Sequence, residues 1–284
     1  RAGRYALPPR RALWIGLELQ EKTKRLVRAS PLRTSSGPGG SSDHPLATYG
    51  PQMGTMGIEV ARKVTWALCR GGIMKVMLVN GSPHKEGCTN RALEEVAHAL
   101  EGEGITAEIF WIGPKPVGGC VSCGACKKLG RCAFDDVVNE FRAKAAEADG
   151  FIFGAPVHYA HAAGSLLGFM DRLFYANGRA GAPNVFRNKP AAAVASARRA
   201  GTTAALDDIQ KFFTISQMPI VSSRYWNNVH GNTVGEVEQD EEGLWTMRQL
   251  GRNMAWLLRC IELGRENGVT APEGEKSAVT NFLR

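Results

Sequence analysis

The chain has 284 residues, of which 44% are apolar and 22% charged, with a formal net charge of +8. That length suffices for one large domain or two small ones, and no run of about eighteen apolar residues offers a membrane span. The charge is local: residues 1–73 carry twelve Lys/Arg against four Asp/Glu and the remainder balances to zero, which argues against a nucleic-acid partner for the folded part.

Residues 1–73 are rich in Arg, Pro, Ser and Gly, as in "RTSSGPGGSSDHP", with short apolar islands such as Ala12-Leu-Trp-Ile-Gly-Leu17. This basic, irregular stretch reads as a disordered or non-native extension, with a targeting peptide or a basic interaction arm as alternatives. No clean apolar run precedes a small-residue cleavage site, which argues against secretion. The seven cysteines are odd in number and locally clustered, which fits a reducing, cytoplasmic setting better than a disulfide framework.

From Met74 onward strands and helices alternate. Apolar runs at Val76–Val79, Ala107–Ile112, Phe151–Ala155, Ala191–Ala195 and Ile220–Val221 predict five strands. They are continuous rather than alternating, so the sheet is expected to be parallel and covered on both faces. A helix from about Asn90 to Glu103 places Leu93, Val96, Ala97 and Leu100 on one face. The last, from Trp245 to about Arg265, does the same with Leu250, Met254, Leu257, Leu258 and Ile261. The pattern predicts a doubly wound α/β domain over residues 74–268, followed by a tail at 269–284.

In such a sheet ligands bind beyond the carboxyl ends of the strands. The first strand runs into "NGSPHKEGCTN", Asn80 to Asn90, and then a helix. Its small and hydroxyl residues suit one terminal phosphate, with a plain helix cap as the alternative. A Walker lysine and a G-x-G-x-x-G pattern are both missing from this loop. The stretch "GGCVSCGACKKLGRC" then gathers Cys120, Cys123, Cys126 and Cys132 in the spacing C-x2-C-x2-C-x5-C. One [4Fe–4S] cluster is the first reading. A zinc site, a thiol–disulfide pair and cysteines without metal stay open. Lys127, Lys128 and Arg131 would offset the negative charge of thiolates. Of the other cysteines, Cys88 is small enough for the phosphate loop and Cys260 is expected in the core, while Cys69 falls in the basic extension.

Two later strands end in Pro156-Val157-His158-Tyr159-Ala160-His161 and in Ser196-Ala197-Arg198-Arg199-Ala200-Gly201-Thr202-Thr203. Together they could sandwich a flat heteroaromatic ring, and ordinary loop chemistry is the alternative.

These residues resemble a known family. "GSPHKEGCTN" is similar to the phosphate loop of the NAD(P)H-dependent flavin mononucleotide reductases, which have a flavodoxin-like fold. "GAPVHYAHAAGSLLGFMDRLF" is similar to that family's second flavin loop and following helix, ending in the Phe-x-Asp-Arg pattern at Phe169–Arg172. The compact cysteine motif resembles that of the iron–sulfur flavoprotein branch, and the likeness spans roughly Met74 to Gly268.

The resemblance implies FMN, with Ser82, His84, Cys88, Thr89 and Asn90 near its phosphate. Residues Pro156 to His161 would surround the ring, together with Ser196, Ala197, Arg198, Arg199, Gly201 and Thr202. NADH or NADPH would supply hydride to the flavin, and electrons would pass to a small-molecule or ferredoxin-type acceptor, directly or through a cluster. His158, Tyr159 and His161 are candidates for shaping the acceptor site. Arg198 and Arg199 would meet negative charge on reduced flavin or an NADPH phosphate, unless they form only a solvated turn. A homodimer or homotetramer is implied, with one chain's loop over its neighbour's flavin. One residue departs from the pattern: His84 stands where the family commonly has Arg, replacing a permanent cation by a titratable one. Two other readings compete, a carrier of single electrons between ferredoxin-like partners and a metal-free thiol redox sensor.

Overall fold

The computed structural model describes residues 74–273 together with 280 and 282. The extension expected at 1–73 lies outside the described residues, as does most of the tail.

Among the described residues six strands form: β1 Lys75–Asn80, β2 Thr106–Trp111, β3 Gly150–His158, β4 His161–Ala162, β5 Ala191–Ala197 and β6 Asn228–His230. Five of them make a parallel sheet in the order β2-β1-β3-β5-β6, and β4 pairs only with the tip of β3, antiparallel. The helices are α1 Cys88–Gly102, α2 Cys126–Leu129, α3 Val137–Ala145, α4 Gly164–Ala176, α5 Thr202–Ile215, α6 Val234–Gln239 and α7 Glu241–Glu266. This is the flavodoxin-like, doubly wound arrangement the sequence led us to expect.

The continuous apolar strands follow from burial on both faces. In β1, Met77 and Val79 join one core with Phe141 of α3, Phe169 of α4 and Phe213 of α5. Val76 and Leu78 enter the opposite core with Leu93 of α1 and Leu250 of α7. Aromatic edges knit the first core, where Phe141 meets Phe169 at 5.5 Å and Phe153 at 6.1 Å between ring centroids.

Two expectations need correction. Ile220–Val221 does not form the fifth strand: Ile220 makes an isolated bridge to Ala191, and β6 pairs with residues 195–197 instead. The chain first docks beside β5, where Ala191 N donates to Pro219 O and Val221 N to Ala191 O. A polar run, Ser222-Ser223-Arg224, then carries it off the sheet until Asn227 tucks its amide onto Ala193 O at 3.1 Å. The second correction is Cys260, which is exposed rather than core, as Ile261 is at 40%. Helix α7 runs parallel to α1, and Arg259 pairs with Glu103 just where α1 ends. Its remaining turns extend past the end of α1, so the helical periodicity continues beyond that partner.

Where the two helices overlap they are very close. A Cβ on Gly251 would lie 2.7 Å from Ala99 Cβ and 2.8 Å from Val96 O. Beside this contact Glu95 accepts from Arg91 at 2.9 Å and pairs with Arg248 across the helices. Burial works against ionising Glu95, but the hydrogen bonds from Arg248 and Arg91 outweigh it and hold its carboxyl below the ordinary 4.5. The sign follows from linkage: this stabilisation is complete above the ordinary value and is lost as pH falls through the lower folded one. Urea unfolding should therefore show Glu95→Gln less stable than wild type at about pH 7, with the gap closing towards about pH 3. A constant gap across that range would remove Glu95 from the acid dependence.

Candidate functional site

The chain leaves β1 outward to β2 and returns to β3, so the carboxyl edge between β1 and β3 opens a crevice at the switch point. The loop that fills it is largely self-supporting. Gly81 N donates to Gly154 O at 2.8 Å, and a Cβ on Gly81 would sit 2.8 Å from that oxygen and from Leu166 Cβ. Asn80 accepts from Ser82 N at 3.0 Å and donates to Lys85 O at 3.1 Å and to Asn90 Oδ1 at 3.3 Å. Ser82 Oγ accepts from His84 N at 3.1 Å, while Trp111 Nε1 donates to Ser82 O at 2.8 Å. Helix α1 follows Gly87 with no side-chain cap, so its first N–H groups face the loop together with the helix dipole. Such a turn suits an anion.

The residues expected near a phosphate gather here with different exposures. Ser82, Thr89 and Asn90 are buried, Cys88 is half-buried and His84 is exposed at the rim. Burial pushes the Cys88 thiol up, assisted by the carboxylate of Glu236. It is therefore neutral at physiological pH and sets no negative charge against an anion. Thr89 Oγ1 is engaged with Ser196 Oγ at 2.7 Å, which ties the start of α1 to the end of β5.

The other two loops meet each other. Strand β3 turns into β4 through Tyr159 and Ala160, with His158 opposite His161. Tyr159 takes a left-handed φ of 60° and its side chain is fully exposed. Pro156 and Val157 are half-buried, and Ala160, His158 and His161 are exposed. At the end of β5 Ser196 and Ala197 are buried, and beyond it Arg198 and Arg199 are exposed and Thr202 begins α5. Gly201, at φ 89°, packs so tightly that a Cβ would lie 2.9 Å from Val157 Cγ1. Three loops thus stand side by side at the ends of β1, β3 and β5, which are neighbours in the sheet.

The cysteine loop occupies residues 113–136, between β2 and α3, with α2 as its one helical turn. Ser122, Gly124 and Gly130 all take left-handed φ, which winds it tightly. Cys120 and Cys123 are exposed and Cys126 and Cys132 buried, yet all four line one small cavity, about 20 Å³, with Phe134 and Arg172. Among the described residues no group of three His, Cys, Asp or Glu closes around a single ion. A cubane spreads its ligands around a larger body, and an all-thiol donor set on a cavity wall fits that chemistry.

Helix α4 supports both regions. Leu166 lies against Gly81 of the first loop, and Gly168 lies against the cysteine loop, where a Cβ would be 2.5 Å from Val117 O and 3.0 Å from Gly119 N. One turn further, Arg172 Nε donates to Cys132 Sγ at 3.2 Å. Leu166 and Arg172 are six residues apart, about 9 Å along a helix. Sequence reasoning missed Asn80, Trp111 and Asp136, whose roles are hydrogen bonds made across elements. A polar residue closing an apolar strand was the only signal for Asn80.

Residues 74–233 match the family model for NADPH-dependent FMN reductase, and the chain belongs to that family. It is 34% identical over 196 residues to an iron–sulfur flavoprotein of Methanocaldococcus jannaschii, an alignment covering 66% of this chain and 100% of that protein. The iron–sulfur flavoprotein of Methanosarcina thermophila is 26% identical over 195 residues, 68% of this chain and 100% of that one. In fold alone, the chain is similar to RosB, solved with 8-demethyl-8-formylriboflavin-5'-phosphate bound, at a TM-score of 0.52 and 14% identity over 74% of this chain and 94% of that one. The family and branch expected from the motifs are those found. No helix among the described residues is long and apolar enough to cross a membrane.

The contact at Gly168 has a direct test. Gly168→Ala should lift the loop off α4, so that Cys126 and Cys132 react faster with a thiol reagent in cluster-free, reduced protein. Overpacking of this kind typically costs about 1–3 kcal/mol, visible as a lower Tm. Unchanged thiol reactivity would mean the loop does not rest on this helix.

Proposed function

We propose that the chain is a flavoprotein oxidoreductase that binds FMN in the β1–β3 crevice, takes hydride from NADH or NADPH, and delivers electrons to an acceptor through a [4Fe–4S] cluster on Cys120, Cys123, Cys126 and Cys132. One observation carries this reading: a turn suited to an anion and a four-cysteine cavity both rest on α4. Membership of an FMN reductase family supports the flavin, and the names of the relatives support the cluster. When bound, FMN supplies two-electron exchange with a nicotinamide and one-electron exchange with a cluster, which in turn supplies single electrons to a partner.

The chain's own residues bind, orient and shield. The first N–H groups of α1 and the Ser82 hydroxyl, whose proton is free because it accepts from His84 N, would hold the phosphate. The neutral Cys88 thiol does not oppose it. The loops at Pro156–His161 and Ser196–Thr202 would flank the ring. Exposed His158, Tyr159 and His161 would shape the approach of nicotinamide or acceptor, and exposed Arg198 and Arg199 would offer cations to a reduced ring or a nucleotide phosphate. Hydride transfer requires no protein acid or base, and no side chain is assigned one. A homodimer or homotetramer in the cytoplasm completes the proposal.

A second reading is an electron carrier that exchanges single electrons with ferredoxin-type partners. It is favoured by the exposure of Cys120 and Cys123, which brings the cysteine loop to the surface. Stopped-flow mixing separates the two: rapid flavin bleaching by NADH or NADPH marks the enzyme, and none with either marks the carrier.

Protein purified without oxygen should show flavin and iron–sulfur absorbance, with about four irons and four sulfides per chain. Each single Cys→Ala change among the four should abolish that stoichiometry and leave FMN in place. Flavin without iron after reconstitution would leave a plain flavin reductase. Separately, Ser82→Ala should weaken FMN by about 1.5–3 kcal/mol, as for a hydrogen bond to a charged group, and leave riboflavin almost unaffected. Equal losses for the two ligands would move the phosphate elsewhere.

A further inference from the structure

The Phe169–Arg172 segment resembles a family motif, yet none of the flavin contacts proposed above uses Arg172. Its side chain is only 4% exposed, and its donors are closely directed. Nε donates to Cys132 Sγ at 3.2 Å, and the terminal nitrogens donate to the two carboxylate oxygens of Asp136 at 2.7 and 2.8 Å. One of them also reaches Phe134 O at 3.3 Å, and the guanidinium stands 5.0 Å over the Phe134 ring. Asp136 is fixed in turn as the cap of α3, accepting from Val138 N at 3.1 Å. Cys132 is held from its backbone too, donating to Asn139 Oδ1 at 3.2 Å and accepting from Asn139 Nδ2 at 3.0 Å. The four cysteines are therefore not equivalent, because one sulfur faces a buried, immobilised donor.

We propose that Arg172 is a positioning residue that sets the reduction potential of the centre on Cys120, Cys123, Cys126 and Cys132, through its N–H···S hydrogen bond to Cys132. The inference rests on the cluster reading above. Uptake of one electron adds one negative charge to the centre, with no bond made or broken and no proton moved. Part of that charge falls on the thiolate sulfurs, where a fixed donor favours the reduced form. Asp136 neutralises the guanidinium as a whole, so the directed N–H, more than net charge, is what reaches the sulfur. Lysine could not reproduce this. Its single ammonium can meet Asp136 but has no second, rigidly placed donor for the sulfur.

The test compares wild type with Arg172→Lys, both reconstituted anaerobically with iron and sulfide. Each is reduced stepwise by dithionite against mediator dyes and followed by electron paramagnetic resonance. Arg172→Lys should keep its iron, sulfide and FMN while the cluster becomes harder to reduce. At the wild-type midpoint its reduced-to-oxidised ratio should fall about tenfold, which is about 59 mV for one electron. The FMN potentials should not move. An unchanged cluster midpoint at full iron content overturns the inference. If Arg172→Lys cannot hold a cluster, wild type labelled with nitrogen-15 at arginine Nε decides instead. A hyperfine coupling from one arginine nitrogen to the reduced cluster supports the proposal, and its absence overturns it. Wild type that takes up no iron and sulfide sinks the cluster reading and this inference together. A cluster-bearing wild type that lacks the Arg172 effects sinks the inference alone.

Discussion

Helix α4 meets two loops at very short range, one against backbone at Gly168 and the other through the Leu166 side chain, and the rest of the site depends on that closeness. At Gly168 there is no room for even a methyl group, because Val117 O already occupies the space. Two residues earlier the helix presents Leu166 to Gly81, which is itself pinned to Gly154 of the central strand. A single rigid element therefore sets the position of the anion loop and the start of the cysteine loop. Distances between such loops would vary if each hung from its own strand. Here the regular rise of one helix relates them, and a rigid support for both loops is what the proposed transfer between a flavin and a cluster would require.

The sheet supplies the other half of that rigidity. Both of its faces are sealed by apolar cores, and the strands carrying the three site loops, β1, β3 and β5, are adjacent. Small residues at their carboxyl ends let the loops close on one another. Gly154 admits Thr89 and Leu93 of α1, and with Thr89 that close, its hydroxyl reaches Ser196 across β3. Gly201 does the same between the second and third loops. The crevice is consequently formed by contacts among its own loops, and such preorganisation lowers the ordering cost of binding a ligand.

The legibility of the sequence follows the range of the interactions. Apolar runs and helical spacing report local burial, so four of the five strands and the two long helices were placed within a few residues. The strand expected at Ile220 shrinks to a single bridge with Ala191, because the polar run Ser222–Arg224 leaves the sheet before the chain pairs again at residues 195–197. Cys260 failed for the complementary reason: periodicity continues along α7 after the partner helix has stopped. Loop composition singled out the turn at residues 80–90 and the four-cysteine segment. It could not show that Trp111 and Asp136 hold them in shape, because their bonds join residues 29 and 36 positions apart, nor that Asn80 does, because its bonds exist only once the turn has closed. The same holds for Arg172, visible only as part of a motif until the fold set it against Cys132.

The burial of Arg172 is the arrangement that general stability does not explain. Taking a guanidinium out of water is unfavourable, and Asp136, 41% exposed, offsets this without sealing the pair in the core. Well-packed apolar residues of similar volume would often stabilise such a site as well or better. A fold under pressure for stability alone would have little use for an arginine between α4 and the cysteine loop. What an apolar side chain could not do is align three groups at once: the cap of α3, the Phe134 carbonyl and the Cys132 sulfur. Arginine's planar fork makes that geometry specific. The charge is thus retained for orientation, at the point where the cysteine loop, α3 and α4 converge.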